Sequence, residues 1–134
     1  MAKISTHQEL EVYQRAFDAA MAIFEMSKRF PRDERFSLTD QIRRSSRSVC
    51  ANLAEAWRKR VYRAAFIAKL VGVEAEAAET QTWLDFVAHC NYGERQETSD
   101  LHAAYHAILG TLVNMRRHPE NWILVEESDS RPHH

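Results

Sequence analysis

Glycine and proline are scarce here, at three of each in 134 residues. A domain of many short strands needs turn residues every few positions, so this scarcity argues against an all-β architecture and for long helices. Cysteine is scarce too. Cys50 and Cys90 lack the CxxC spacing of a metal or redox site and fall in apolar-periodic segments, so free, buried, reduced thiols are expected. No run of about eighteen apolar residues is present to span a bilayer, and Met1 to Gln8 carry no apolar signal-peptide core. The expectation is a cytoplasmic protein that does not enter a membrane.

A strong charge of either sign is also missing, the net charge being −1. Its distribution is uneven. Residues 1–66 carry 13 Lys/Arg against 8 Asp/Glu, and residues 67–134 carry 5 against 11, a contrast of +5 with −6. The basic excess concentrates between Arg43 and Arg63. Apolar residues at 45% and charged residues at 28% are ordinary for a folded domain, and this length buries a core without disulfides.

Apolar periodicity of three and four residues predicts four helices. The first spans about His7 to Arg29, with Leu10, Tyr13, Phe17, Ala20, Met21 and Phe24 on one face, and Phe30-Pro31 stops it. The second begins near Ser37, where Ser37-Leu-Thr-Asp40 resembles a capping box. Its buried stripe is Leu38, Ile42, Val49, Leu53 and Ala56, flanked by Ser46, Cys50 and Trp57, and it fades at Arg58-Lys59-Arg60. The third covers about Arg63 to Cys90, with Phe66, Leu70, Val73, Ala77, Leu84 and Ala88 inward and Asn91-Tyr92-Gly93 closing it. The fourth opens at Thr98 or Ser99 and runs to about Arg117, with Leu101, Ala104, Tyr105, Ile108, Leu112 and Met115 inward and Pro119 ending it. Short connections make consecutive helices antiparallel, so the fold class is all-α, an up-down four-helix bundle. Residues 1–125 form one domain in this reading. Trp122-Ile-Leu-Val125 folds back onto the bundle or packs on a neighbour, and 126–134 is a disordered polar tail.

The middle of the chain carries a longer pattern. Phe30-Pro31 leads through Glu34 to Leu38-Thr39 and Gln41-Ile-Arg43-Arg44, then Ser48-Val-Cys-Ala-Asn52-Leu-Ala-Glu55, Arg58 and Phe66. This resembles the family of small bacterial four-helix-bundle proteins first noted as reading frames inside ribosomal-RNA intervening sequences. That family is similar to the accessory variability protein of diversity-generating retroelements. The order of elements matches from about His7 to Arg117. One position departs: glycine usually follows the Asn-x-x-Glu motif, and this chain has Ala56, which favours continuous helix. The resemblance implies an antiparallel bundle assembling into a ring-like homopentamer, with no known catalytic activity. For the retroelement relative it implies nucleic-acid binding through a basic surface, in partnership with a reverse transcriptase.

Arg43, Arg44, Arg47 and Arg58 fall within about a quarter-turn of one another on the second helix, nearly opposite its apolar stripe. Lys59, Arg60 and Arg63 extend the charge into the next connection. Such a surface can neutralise phosphates of RNA or DNA. The competing reading is a solvated or salt-bridged surface, with Asp40 in reach of Arg43 and Arg44. Asn52 and Glu55 are expected at a bundle or subunit contact. Trp57, Trp83, Phe86 and Val87 exceed what one buried face per helix requires and are candidates for a self-association surface, the alternative being a thicker core or a protein–protein scaffold without nucleic acid. No metal or cofactor is expected. Glu74, Glu76 and Glu79 lack Glu-x-x-His partners and read as solvated or paired with arginines of another helix or subunit, and His102/His106 read as a surface pair. Ser45, Ser46 and Ser48 have no glycine elbow to make a nucleophile, so no enzyme is expected.

Overall fold

A computed structural model of the chain describes residues 4–124. Four α-helices account for most of it: α1 (Glu11–Ser27), α2 (Leu38–Arg58), α3 (Arg63–Cys90) and α4 (Arg95–Arg117), with short 3₁₀ turns at the connections and no strand among the described residues. Each helix packs on its two neighbours, α1 on α2, α2 on α3, α3 on α4 and α4 back on α1. The result is the antiparallel four-helix bundle that short connections dictate.

The expected stripe of α2 is buried in full, with Ile42 and Val49 completely enclosed, and the helix runs unbroken through Ala56. At its start the chemistry differs from a capping box. The Ser37 hydroxyl donates to Glu34 Oε1 (2.6 Å), and Glu34 also accepts from the backbone of Leu38 (3.4 Å). The preceding acid, rather than the serine, therefore satisfies the helix start. Helix α3 ends as its sequence proposes. Asn91 adopts the left-handed conformation (φ 56°) while Tyr92 N–H donates to the Val87 carbonyl (3.0 Å), the bond pattern of a left-handed helix stop. Gly93 follows because space requires it: a Cβ there would lie 3.0 Å from Thr98 Oγ1 and 3.1 Å from Met26 Sδ.

Three expectations need correction. At α1 the N-cap Leu10 and Ala20 are buried as expected, but the face centres on Val12, Ala16, Ala19, Ile23 and Met26, and Phe17 and Met21 are each 48% exposed. The helix carries two apolar faces, and the aromatic one is left largely outside the core. In α3 the inward residue of the last turns is Val87 and not Ala88, which is exposed. Helix α4 starts at Arg95, one turn before Thr98; the Thr98 hydroxyl donates back to the Glu94 carbonyl (3.0 Å) instead of capping.

The interior is almost wholly apolar. Its main polar contact is a hydrogen bond from Thr80 to Ser45 (2.8 Å), which ties α3 to α2. The Tyr105 hydroxyl is enclosed without a hydrogen-bond partner among the described residues, and burial pushes its pKa upward. Both cysteines are free, but only Cys50 is buried, its thiol pushed up to about 11 by burial; Cys90 is exposed at the end of α3. After Pro119 the chain folds back. Trp122 and Ile123 pack against the core, and Leu124 N–H donates to the Arg60 carbonyl (3.1 Å). Val125 and the expected polar tail lie outside the described residues. Among those residues, no helix is long and apolar enough to cross a membrane.

Candidate nucleic-acid interface

The arginines of α2 look alike in sequence and part company in the structure. Arg44 reaches across to α3 and pairs with Glu79 and with Glu76 (3.3 Å), while its Nε donates to Gln41 (3.0 Å). The hydrogen bond to Glu79 holds its pKa above the usual value. The carboxylates that absorb this charge are therefore those of α3, and not Asp40. Arg43 turns the other way, donating to the Ser27 hydroxyl (2.7 Å) with its guanidinium 4.8 Å from the centre of the Phe24 ring. Arg47 lies 5.5 Å from the same ring. The middle of the stripe is thus split between two neighbouring helices.

The end of the stripe is different. Arg58, Lys59 and Arg63 are exposed where α2 turns into α3, and none has an ion-pair partner among the described residues. Arg60 is set apart from them. Its guanidinium carbon lies over the Trp57 ring, 3.3 Å from the ring centre, and its Nε donates to the Trp57 carbonyl (2.7 Å). Burial, with the nearby charge of Arg58, lowers its pKa. Arg60 pins the connection, and its own carbonyl holds the returning chain at Leu124. By the antiparallel order α4 ends toward the same end of the bundle, where Arg117 is exposed and Arg116 is paired with Glu74 of α3. Tyr62, at the tip of the connection, is 71% exposed.

Residues 55–63 hold four Lys/Arg against the single acid Glu55, which pairs with Lys69 (3.0 Å). Among the described residues this is a surface for anions with several independent cations. Sequence reasoning found the basic run but missed Arg117 and Tyr62. The cue for Arg117 was its place in the last turn of a helix antiparallel to α3. The cue for Tyr62 was an aromatic inside a basic connection.

The residues expected at a subunit contact scatter. Trp57 and Val87 are 5% and 0% exposed, so both belong to the subunit's own core and are corrected from surface candidates. Trp83 is half-buried, donating to Glu79 (3.0 Å), and Phe86 beside it is 52% exposed. Asn52 is half-buried and Glu55 exposed. A larger apolar surface lies between α1 and α2, a groove of about 400 Å³ lined by Tyr13, Phe17, Met21, Phe24 and Ala54, with Arg47 at its rim. It is made by the aromatic face of α1 that the core does not use. His102 faces Asp85 across α3 and α4 (3.3 Å) in a separate cleft of about 540 Å³ that His106 also lines.

A model of the 23S rRNA-intervening sequence proteins matches residues 8–114. The chain belongs to that family. Among solved structures, it is similar to a protein of unknown function from the S23 ribosomal protein family of Bacteroides thetaiotaomicron. The two are 28% identical with a TM-score of 0.71, over 79% of this chain and 98% of that one. No curated protein matches at a significant level. The match covers all four helices up to Asn114 and includes every arginine of α2.

Proposed function

We propose that this family member is a non-enzymatic, self-associating bundle that binds RNA or DNA through the basic end formed by Arg58, Lys59, Arg63 and Arg117. The observation that carries the reading is the group of exposed cations Arg58, Lys59 and Arg63 at one end of the subunit, none with an ion-pair partner among the described residues, while the neighbouring Glu55 is taken by Lys69. Phosphate contacts of this kind release counterions and supply affinity without a concave pocket. The net charge of −1 is no obstacle, because acids elsewhere are consumed by Arg44, Arg116 and Lys69. Arg43, Arg44, Arg47 and Arg60 serve chiefly to hold the bundle together in this reading.

Self-association draws on the α1/α2 groove and on the Trp83–Phe86 patch, two apolar surfaces on different sides of α2. A ring of such subunits, pentameric on the family likeness, repeats the basic end once per copy and multiplies its affinity. The exposed Phe17 and Met21 also favour a second reading, a protein–protein scaffold, with a reverse transcriptase among the partners the retroelement relative suggests.

Titrating the purified protein into labelled structured RNA and following anisotropy tests the primary reading. Binding that weakens steeply with added salt is expected. No binding of RNA or DNA at low salt sinks it and leaves the scaffold. Light scattering at micromolar concentration tests the assembly, where a monomer contradicts it.

A further inference from the structure

We propose that Tyr62 is a stacking platform for an unpaired base, so that the nucleic acid held at the basic end is single-stranded or looped at the point of contact. This rests on the nucleic-acid reading above and narrows it.

Tyr62 follows Arg58 and Lys59 and immediately precedes Arg63, and its ring is 71% exposed. Its backbone is nevertheless fixed. It occupies the N-cap position of α3 in an extended conformation (φ −119°, ψ 115°), its N–H donates to the Lys59 carbonyl (3.0 Å), and its carbonyl accepts from Phe66 N–H (2.9 Å). A phenol ring on a fixed stem loses little freedom when a flat partner settles on it. The other aromatics near this end are spent: Trp57 lies under Arg60, and Trp122 packs against the core.

Phe36, at the opposite end, is a useful contrast. It is more exposed, at 83%, but the Arg35 guanidinium lies 5.0 Å from its ring centre, and Asp33 and Glu34 precede it in the connection. The cations Arg32 and Arg35 are offset there by Asp33 and Glu34, so a phosphate chain finds no net attraction in that connection. At Tyr62 the flanking charges are cationic on both sides, which is the combination that single-strand binding needs: a π-face for the base and cations for the phosphates around it. In a duplex the faces of the bases are already stacked on one another, and none is free to settle on the ring. Stacking does not read the ribose hydroxyl, so RNA and DNA share this chemistry.

The test compares native protein with Tyr62→Ala and Tyr62→Phe by fluorescence anisotropy, using labelled oligouridylate, oligothymidylate and a perfect duplex as probes. Tyr62→Ala should weaken single-strand binding about 5- to 150-fold, the loss of one stacked base. Tyr62→Phe should retain it, and the salt dependence should stay the same in both, because no phosphate contact is removed. Duplex affinity should change by less than about twofold. Loss for both single strands marks stacking alone; a larger loss for oligouridylate adds a ribose contact at the same site. Native-like single-strand binding by Tyr62→Ala, or equal losses for single strand and duplex, would overturn the proposal while leaving the basic end in place. Failure of the native protein to bind any of the three probes overturns both readings. Unchanged thermal unfolding of the variants shows that the exposed ring was not needed for folding.

Discussion

The two ends of the bundle are built from the same residue types and put them to different use. At the end where α1 turns into α2 and α3 into α4, residues 28–35 and 94–97 hold five Lys/Arg and four Asp/Glu. There Arg29 pairs with Glu97 (2.8 Å), Lys28 with Glu25 (3.1 Å), and Glu34 gathers Ser37 and Tyr92 (2.9 Å). Two of these bonds, Arg29–Glu97 and Tyr92–Glu34, tie the α1/α2 connection to the α3/α4 connection, and the remaining cations, Arg32, Arg35 and Arg95, stand among Asp33, Glu34 and Glu94. At the other end four cations in residues 55–63 meet one acid, and the exposed three have no ion-pair partner among the described residues. Charge that is matched across helices fixes connections; charge left unmatched on a fixed connection is available to a ligand. Surface ion pairs are individually weak, so the matched end is held by their number and by the Glu34 hub.

The largest effect expected from this contrast is on binding. Replacing Arg58, Lys59 and Arg63 together by Gln removes three phosphate contacts. At about 0.7 decade each near 0.1 M salt, single-strand affinity should fall about a hundredfold. Stability measured by urea unfolding should move by less than about 0.5 kcal/mol per site. The equivalent change at the opposite end, Arg29→Gln with Arg32→Gln and Arg35→Gln, where Asp33, Glu34, Glu94 and Glu97 stand among the cations, should leave binding nearly untouched. An equal loss of affinity would erase the distinction between the ends.

A smaller effect should follow from moving a matched charge into the unmatched class. Glu76→Gln with Glu79→Gln removes both carboxylates from Arg44. The freed guanidinium should strengthen single-strand binding by up to about fivefold, one phosphate contact's worth. Anisotropy titration reads the change, and a weaker complex would mean that Arg44 matters only for the fold.

The matched end should show itself in pH dependence instead. Hydrogen bonds first from Ser37 and then from Tyr92 hold the Glu34 carboxyl below its ordinary value of 4.5, against the opposing effect of burial. The bond to Glu34 is the main cause pushing the Tyr92 phenol from 10.0 up to about 12. A depressed carboxyl stabilises the fold above its unfolded pKa and stops doing so as pH falls through the folded value. A raised phenol stabilises below its unfolded pKa and stops as pH rises through the folded one. The contribution is therefore whole between pH 4.5 and 10.0. Tyr92→Phe should lower Tm by about 3 °C within that window and match native protein in strong acid, with nucleic-acid binding unchanged.

A substitution in the core serves as control for both ends. Tyr105→Phe removes a buried hydroxyl without a partner, so it should stabilise by about 1 kcal/mol and leave binding alone. Destabilisation in a urea melt would mean that the hydroxyl has a partner after all.

Much of the fold was legible along the chain. The stripe of α2 and the bounds of α3 follow from period and punctuation, and Asn91-Tyr92-Gly93 stops α3 by local chemistry, whereas α1 already ends at Ser27, ahead of Phe30-Pro31. The face of α1 was not legible, because that helix has two apolar faces. Size favours the face with Tyr13, Phe17 and Phe24, but the face that is buried carries Val12, Ala16, Ala19, Ile23 and Met26, and periodicity alone does not choose between them. The start of α4 was misplaced for a related reason: Thr98 has the chemistry of a cap, yet Glu94 begins the helix with no side-chain cap at all. In the candidate site the basic run was visible, and so was the prospect that the acids of α3 pair with arginines. Which arginine they choose depends on residues 32 and 35 positions away, opposite Arg44 only once α2 and α3 pack.

Ultraviolet cross-linking of bound single-stranded RNA, mapped by peptide mass spectrometry on the native protein, tests the difference between the two ends most directly. Cross-links should fall within residues 57–66 and around Arg117, with Tyr62 the strongest position. Cross-links concentrated at residues 28–37 or 94–100 would contradict the account.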